Sequence, residues 1–425
     1  MSIISQVHSV QEMIRKRLFH GLAVVAAACI FAAITSAQYF PDGGSWQSKK
    51  PSEAGFDAQK LDQAIGLAKS SESKAPRDQE LGQAQTFGRE PLGEAIGPFK
   101  TRGQMTGIVV KNGYLVAEWG EPDRVDMTHS VTKSFLTVTV GIAYDSGAIK
   151  NLDSPVFGSM APISVLSDYK EFDRGEEFGS NRFFELFGTE HNRKITWDHL
   201  LRQTSDWEGT LWGKPEWADR PDRDTSTWLS RDRKEPGTAW EYNDVRVNVL
   251  ALAALNVLRR PLPEVLRERV LDPIGASSTW RWHGYENSFV LIDGRPVQSV
   301  SGGGHWGGGM FISARDMARF GLLVARGGKW KEKQIISEQF LKRAETPTGV
   351  QANYGYMNFF LNTDRKQYPG VPEKTIAFLG NGTNLVFIDR ELDLVVVARW
   401  IENSRINDFL TAVYESIDNT SREAK

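Results

Sequence analysis

The chain has 425 residues, and its 51 Lys and Arg nearly balance 53 Asp and Glu, so the net charge at pH 7 is −2. A chain of this length can bury a sizeable core without staples, as two or three structural units or as one large domain with an insertion. The charge balance argues against nucleic acid and anionic membranes as partners. The single cysteine, Cys29, excludes zinc ribbons, CxxC redox sites and disulfide frameworks.

The first 37 residues have the pattern of a secretory signal peptide. Three basic residues at 15–17 precede a run of 13 apolar residues at 22–34, and small residues lead up to Ala37. A helix of that run is roughly 20 Å long, whereas a hydrocarbon core is roughly 30 Å thick, so an uncleaved anchor is the weaker alternative. We therefore expect an exported protein, periplasmic or secreted after cleavage near Ala37, with no membrane association beyond this signal.

Hydrophobic periodicity and turn residues predict the elements that follow. Asn112-Gly113 lies between two β-rich runs and predicts a hairpin over 106–119. The remaining predictions, in chain order, are a helix over 56–69, a buried helix over 130–144, short helical patches at 245–255 and 262–270, a helix from Ser313 to about 326, a hairpin over 384–400 and a helix over 405–417. Strands near both ends of the mature chain indicate an α/β domain built from 38–149 and 301–425, with a mostly helical subdomain at 150–300.

Ser-x-x-Lys occurs three times, at Ser71/Lys74, Ser130/Lys133 and Ser167/Lys170, and only the second copy opens an apolar helix. Residues three apart share a helix face, so Lys133 can reach the Ser130 hydroxyl. Free N–H groups at a helix start suit a developing oxyanion. Apolar neighbours and the helix dipole favour the neutral amine that acts as a base. The alternative is that Ser130 only caps the helix and Lys133 is a solvated charge.

Five ordered segments resemble the serine β-lactamase/penicillin-binding superfamily, and more narrowly the class C β-lactamase-related hydrolases. Residues 195–205 resemble its LLxHTSG signature, with Gln203 and Asp206 as departures. The other four segments are His129-Ser130-Val-Thr-Lys133 after the hairpin, 147–156, 235–244 (similar to PGxxFxYSN) and 307–320 (similar to GGLxSTxxDLARF). The resemblance covers roughly 50–415 and implies an antiparallel sheet flanked by helices, with a mostly helical subdomain and the site between them.

The resemblance implies Ser130 as the acyl nucleophile, Lys133 as its hydrogen-bonded base and Tyr242 as the residue that relays a proton to the leaving group. A phenol is a poor base near neutrality, so Tyr242 would need Lys133 beside it to lower its pKa, and the division of proton transfer between the two residues stays open. Asp244 stands where the family usually has Asn. A carboxylate can pair with Lys133, but it lacks the amide donor that grips a substrate carbonyl, so a penicillin-type substrate is less favoured.

The third motif of the family, Lys-Thr-Gly or His-x-Gly, has its best counterpart at Gly380-Asn381-Gly382-Thr383. By resemblance, Asn381, Gly382 and Thr383 are candidate substrate-binding residues, and the Thr383 N–H is expected to join that of Ser130 in an oxyanion hole. Gly380 stands where the family has a cation. The carboxylate of a β-lactam or of a D-Ala terminus therefore lacks an obvious partner.

Other chemistries receive little support. His199, His283 and His305 lack a second ligand at metal spacing, and Gly302-x-Gly304-x-x-Gly307 is a weak dinucleotide match inside a glycine run. No metal and no cofactor are predicted. Six tryptophans crowd into the helical region, most of them expected in the core, with Trp207 and Trp212 as candidates to wall an apolar substrate cleft.

The sequence therefore predicts an exported serine hydrolase that cleaves small-molecule esters or small linear amides through an acyl-enzyme on Ser130. In style it is similar to the 6-aminohexanoate-dimer hydrolases and to the family esterases. One alternative within the superfamily is a β-lactamase or a D-alanyl-D-alanine carboxypeptidase. An alternative from another class is a non-catalytic module that binds peptidoglycan or peptides on the same fold.

Overall fold

The order of helices along the chain follows the predicted order closely. The structure is a computed structural model that describes residues 38–165 and 183–418. The predicted signal segment at 1–37 lies outside the described residues. The described helices are α1 Ala58–Ser70, α2 Gln79–Gln85, α3 Thr132–Asp145, α4 Trp197–Leu201, α5 Asp244–Leu258, α6 Leu262–Leu266, α7 Ala314–Ala325, α8 Glu338–Ala344 and α9 Ile406–Glu415. In these parts of the chain, no helix is both long and apolar enough to cross a membrane.

Helix starts are set by side-chain caps, as the sequence pattern requires. Asp57 accepts from the backbone at the start of α1, Asn243 does so for α5 and Ser313 for α7. The 3₁₀ turn His129–Val131 leads directly into α3. The predicted helices over 56–69 and 130–144, and the one starting at Ser313, are confirmed.

Two larger sheets contain most of the described strands, and neighbouring strands in them pair antiparallel. The strands are β1 Thr106–Lys111, β2 Tyr114–Trp119, β3 Asp126–Met127, β4 Ile163–Val165, β5 Phe183–Phe184, β6 Thr210–Leu211, β7 Lys214–Pro215, β8 Arg281–Ile292, β9 Arg295–Val300, β10 Gly309–Ile312, β11 Lys329–Trp330, β12 Lys333–Gln334, β13 Phe360–Leu361, β14 Ile376–Gly380, β15 Asn384–Asp389 and β16 Leu394–Arg399.

The main sheet has the order β13-β14-β15-β16-β1-β2, so strands from both ends of the mature chain lie side by side. The predicted hairpins β1–β2 and β15–β16 are both present. At the first turn, Asn112 and Gly113 have φ of 51° and 82°, the left-handed values that an Asn-Gly hairpin turn needs. The α/β class predicted from strands at both ends is confirmed.

Helices cover both faces of this sheet. Helices α1 and α9 pack on one face in one hydrophobic cluster, and α3, α5 and α7 belong to the larger cluster on the other. In α7, a side chain at Gly321 would press on Val386 and Val395, so this glycine allows the close approach of the helix to β15 and β16. The sheet and α3 thereby form a rigid base for the segment around Ser130.

The second sheet has the order β3-β10-β8-β4-β5, with β9 paired to β8. Its longest hairpin, β8–β9, ends the region that was predicted to be mostly helical, and the sequence analysis missed it. Its turn is the dipeptide Asp293-Gly294, with φ of 51° and 76°, a strong hairpin signal. Residues from Phe40 onward cluster as one compact unit, and the predicted boundaries at 149/150 and 300/301 stay predictions.

Candidate active site

Ser130 lies in the 3₁₀ turn at the start of α3 and is half-buried, so its hydroxyl remains accessible. The preceding residue, His129, has a φ of 48°, a left-handed conformation that is uncommon for residues other than glycine. His129 is buried, and its Nε2 lies 3.0 Å from Oε1 of Gln79. This contact fixes the backbone turn that presents Ser130.

Lys133 reaches Ser130 one turn along the helix, as predicted. Its Nζ donates to Ser130 Oγ at 3.0 Å and to Asp244 Oδ1 at 2.6 Å, and its side chain is fully buried. A solvated surface lysine is thereby excluded. The bonds place the lysine between the candidate nucleophile and a buried carboxylate.

Tyr242 completes the group that the sequence analysis expected to converge. Its side chain lies close enough to that of Ser130 to affect its pKa, and Lys133 Nζ lies 4.6 Å from the centroid of its ring. The lowered pKa that Tyr242 would need in order to act as a base is not found. Burial, assisted by the negative charge of Asp244, raises the pKa of Tyr242 above its usual value. Tyr242 is therefore a phenol that can donate a proton rather than a ready base.

The carboxylate of Asp244, which stands where the family usually has an amide, accepts hydrogen bonds at both oxygens. One oxygen accepts from Lys133, the other accepts from Arg220 NH1 at 3.0 Å, and its backbone N–H donates to Asp219. Burial opposes its ionisation, but Lys133 and Arg220 outweigh burial and hold the pKa of Asp244 below its usual range. The predicted pairing of Asp244 with Lys133 is present.

The glycine run at 302–309 packs behind this pair. A Cβ at Gly303 would collide with Asp244 Oδ1 and Lys133 Nζ. Gly304, Gly307, Gly308 and Gly309 all have φ between 70° and 93°, which only glycine adopts without strain. The run that formally matched a dinucleotide fingerprint therefore allows the backbone to approach the Lys133–Asp244 pair.

The counterpart of the third motif differs in detail from the prediction. Asn381, Gly382 and Thr383 form the turn after β14, where Gly382 packs against the Trp400 ring and the Thr383 carbonyl accepts from Trp400 N–H. The residue that packs on the nucleophile is Gly380. A Cβ there would collide with the Thr128 carbonyl and lie 3.1 Å from Ser130 N. The role of the Thr383 N–H in an oxyanion hole stays a prediction. The residue of β14 that lies against the Ser130 backbone is Gly380.

The two tryptophans predicted to wall a cleft lie in the hydrophobic core instead. Trp207 is 1% exposed, with its indole N–H bonded to the Leu186 carbonyl, and Trp212 is 7% exposed. Both side chains belong to the larger hydrophobic cluster, and Trp212 lies in the turn between β6 and β7. The half-buried aromatic ring beside Tyr242 is that of Trp240, at 6.2 Å between centroids.

A hydrogen-bonded network that the sequence analysis missed connects the site's segments. Asn358 Nδ2 donates to the Ser130 carbonyl and, at 2.7 Å, to the Leu379 carbonyl on β14. The Asn358 N–H donates to the Tyr354 hydroxyl, which also accepts from Gln203 Nε2. Gln203, a departure from the family's histidine, is the one member that the sequence had pointed to.

Gln203 also reaches the segment that carries Tyr242. Its Oε1 accepts from Asn243 N–H at 2.6 Å. The second departure, Asp206, has a φ of 44°, a conformation that Asp tolerates better than most residues. Its carboxylate accepts from the buried Arg246 and from Arg231. Both departures therefore have structural explanations, since each side chain bonds to neighbouring parts of the site.

One group in the described part of the chain has the composition of a metal site: Glu90, Asp219 and His305, with ligand atoms within 4.8 Å of one another. The two carboxylates face different ring nitrogens, since Glu90 lies 2.8 Å from Nε2 and Asp219 lies 3.6 Å from Nδ1. Asp219 also binds Arg220. A guanidinium at this carboxylate disfavours a metal cation there, so the group has the arrangement of ion pairs.

The fold and the Ser–Lys–Tyr group define a hydrolase of the serine β-lactamase type. A sequence profile described as Beta-lactamase matches residues 99–401, and the chain belongs to this family. Members of the family are serine hydrolases, and this protein is a hydrolase. No curated protein is similar enough in sequence to match.

Solved structures share the fold at low sequence identity. A Bacillus anthracis protein provisionally described as a 6-aminohexanoate-dimer hydrolase has 15% identity and a TM-score of 0.50, covering 90% of this chain and 88% of its own. A family VIII carboxylesterase has 16% identity and a TM-score of 0.50, with 84% and 97% covered. A penicillin-binding protein homologue from Caulobacter crescentus has 14% identity and a TM-score of 0.51, with the same coverage. These likenesses establish the fold and leave the substrate open.

Proposed function

We propose that this protein is an exported serine hydrolase that cleaves esters or small linear amides through an acyl-enzyme on Ser130. The observation that carries the proposal is the placement of Lys133 Nζ, 3.0 Å from Ser130 Oγ and 2.6 Å from Asp244 Oδ1. In its neutral amine form, a lysine held in this position can take the proton of the attacking serine. The carboxylate then stabilises the resulting ammonium.

The proton steps follow from the same contacts. As Ser130 Oγ bonds to the substrate carbonyl carbon, its proton passes to Lys133. Because burial keeps Tyr242 a phenol, Tyr242 gives its proton to the leaving alkoxide or amine and recovers one from Lys133. A water molecule then attacks the acyl-serine ester, which releases the acid and returns the proton to Ser130. The Ser130 backbone N–H is one donor available to the oxyanion.

The charges around the site favour esters and linear amides over substrates with a carboxylate. Gly380 supplies no cation at the strand edge. Arg220 is an exposed residue whose guanidinium lies 4.9 Å from the Tyr242 ring centroid, and one of its terminal nitrogens already donates to both Asp219 and Asp244. A substrate carboxylate at this guanidinium would lie close to the negative charges of Asp219 and Asp244, which disfavours its binding. The activity on β-lactams and D-Ala termini should therefore be low.

Covalent labelling with a fluorophosphonate, combined with an ester panel, tests the proposal. We expect the native protein to be labelled, Ser130→Ala to abolish labelling, and p-nitrophenyl esters to be turned over faster than nitrocefin. Ser71→Ala is the matched control, because Ser71 belongs to another Ser-x-x-Lys copy and should retain full labelling. An unlabelled native protein would favour the non-catalytic module, and faster nitrocefin turnover would favour a β-lactamase.

Export is tested separately from catalysis. Expression of the full chain with its first 37 residues, followed by N-terminal sequencing of the periplasmic or secreted protein, should give Gln38 as the first residue. A protein that remains in the membrane fraction with an intact N-terminus would support the anchor instead.

A further inference from the structure

Gln203 is a buried glutamine in the turn that follows α4. It is 1% exposed, and its φ of 55° is a left-handed conformation that is uncommon for residues other than glycine. Its Oε1 accepts from the Asn243 N–H at 2.6 Å, and its Nε2 donates to the Tyr354 hydroxyl at 2.9 Å. Because a backbone N–H can only donate, the first of these bonds fixes the orientation of the amide. Each end of this side chain therefore binds a different segment of the active site.

The same residue holds the main chain on both sides of Tyr242. The Glu241 N–H donates to the Gln203 carbonyl at 3.0 Å, and the Asn243 N–H donates to the Gln203 side chain. Asn243 is extended, with φ of −144° and ψ of 117°, and its own side chain caps α5. The two neighbours of Tyr242 are thus bonded to one buried residue, which restricts how the backbone that carries the phenol can rotate.

A second connection runs from Gln203 to the nucleophile. The Tyr354 hydroxyl, which accepts from Gln203, also accepts from the Asn358 N–H at 3.1 Å. The side-chain amide of Asn358 then donates to the Ser130 carbonyl. Tyr354 is 1% exposed, and its ring meets the Tyr242 ring edge-on, with 6.4 Å between the centroids. Gln203 is therefore connected to Tyr242 through the main chain and to Ser130 through two intervening residues.

We propose that Gln203 is a positioning residue that holds the Tyr242 phenol where it can protonate the leaving group of a substrate bonded to Ser130. The proposal rests on the function proposed above. Gln203 acts through other residues, because its amide atoms bond to Asn243 and Tyr354. A general acid must lie within hydrogen-bond reach of the leaving atom, so a small displacement of Tyr242 removes its contribution.

The test is the dependence of kcat/KM on the leaving group, measured with p-nitrophenyl, phenyl and ethyl acetate. Gln203→Met keeps the length of the side chain and removes both hydrogen bonds of the amide. The p-nitrophenolate ion leaves without a proton, whereas ethoxide is a strong base that leaves only when it is protonated. Since general acid catalysis contributes about 100-fold or more, we expect kcat/KM to fall at least about tenfold for the ethyl ester and only about two- to threefold for the p-nitrophenyl ester.

Two controls identify the route of the effect. In a Tyr242→Phe background the proton donor is gone, so Gln203→Met should no longer steepen the dependence on the leaving group. Asn256→Leu is the matched control for lost stability. Asn256 is a buried amide that bonds to the main chain of Ala161 and lies about 18 Å along α5 from Asp244. This control should destabilise the protein and leave the ratio between the ethyl and p-nitrophenyl esters unchanged.

The outcomes separate a positioning role from a structural one and from a failure of the proposed function. An equal loss for all three esters would show that Gln203 supports stability alone, and a steeper dependence that persists in the Tyr242→Phe background would also overturn the proposal. A fluorophosphonate loses fluoride without a proton, so it should label Gln203→Met at close to the native rate. An unlabelled native protein would refute the proposed function itself. A labelled native protein whose Gln203→Met variant keeps the native leaving-group dependence would refute only the role of Gln203.

Discussion

Two glycine-rich segments lie against the candidate active site, and they serve it differently. Residues 302–309 pack behind the Lys133–Asp244 pair, where Gly303 leaves room for two charged side-chain ends. Residues 380–383 pack beside the backbone of the nucleophile, where Gly380 leaves room for the Thr128 carbonyl and Ser130 N–H. The first segment leaves room for the side chains that transfer protons, and the second leaves room for the main chain at Ser130.

Each segment has a buried histidine in it or beside it, and the two histidines have different neighbours. His305, within the first, lies between two carboxylates. His129, beside the second, faces the amide of Gln79, and burial together with Arg399 lowers its pKa to about 4. The surroundings of His129 therefore favour the neutral ring, whereas His305 lies beside two acidic side chains. Glycine content alone therefore does not reveal the role of a segment, which depends on the groups it packs against.

The largest expected effect is that of Gly303→Ala. The new methyl group would collide with Asp244 Oδ1 and Lys133 Nζ, which are too buried to move freely. A displacement near 1 Å at reacting groups costs on the order of 100-fold in rate. We expect kcat/KM to fall by about that factor or more, with a changed pH profile, because the proton-handling pair is disturbed.

Gly380→Ala should be equally harmful to the rate but leave the shape of the pH profile unchanged, since its methyl group meets backbone atoms. Gly66→Ala in α1 is the matched control, with open space around its added Cβ, and should retain activity and gain a few tenths to about 1 kcal/mol in stability. Identical pH profiles for the Gly303 and Gly380 variants would contradict the division of roles.

A smaller effect is expected from Asn358→Gly. This change removes the amide that joins the Ser130 carbonyl to β14, while glycine accepts the local φ of 55° without strain. Two partly buried carbonyls lose a donor, which should lower the free energy of unfolding by about 1–3 kcal/mol. We expect kcat to fall about tenfold with little change in KM, because the nucleophile is less well placed.

Asn362→Gly is the control for that loss of stability. Asn362 is also buried, and its Nδ2 also donates to backbone carbonyls, at Tyr368, Val371 and Pro372, all remote from Ser130. The control should destabilise the protein to a similar degree and leave kcat unchanged. Equal losses of kcat in both variants would mean that Asn358 acts only through general stability.

The contrast between these residues and Ser130 explains what the sequence could predict. The hairpin at Asn112-Gly113, the helix after Ser130 and the meeting of Lys133 with Ser130 depend on local patterns of turn residues and helix spacing. The position of Tyr242 near Ser130 could be predicted only from the ordered motifs that resemble the family. Asn358 and Arg220 belong to loops without periodicity, and their roles arise from burial beside charges and carbonyls that come from distant segments.

The missed hairpin β8–β9 has a similar physical explanation. Its register shifts between Gly284 and Phe289, so the two-residue alternation that marks a half-buried strand is interrupted. Asp293-Gly294 remained visible as a turn signal, but the apolar runs at 245–255 and 262–270 led to a mostly helical prediction for the whole region. The ordered motifs identified the family, whereas the supporting parts of the site required coordinates.

The smallest expected effect concerns His129 and tests the contrast between the two histidines. Because the pKa of native His129 is about 4 and that of an unfolded histidine is about 6.5, the unfolded chain binds more protons between these values. Stability from this group is therefore present above pH of about 6.5 and is lost as the pH falls toward 4, by on the order of 2–3 kcal/mol. Asn accepts the left-handed φ and does not titrate, so His129→Asn should lose less stability over this range.

Urea unfolding at several pH values measures the effect as the difference between the native protein and His129→Asn, in which the other titrating groups largely cancel. The difference should change steadily between pH of about 6.5 and 4, with the native protein the more sensitive to acid. A constant difference would mean that folding leaves the pKa of His129 unchanged, and the segment beside Gly380 would then not contain a histidine held in its neutral form.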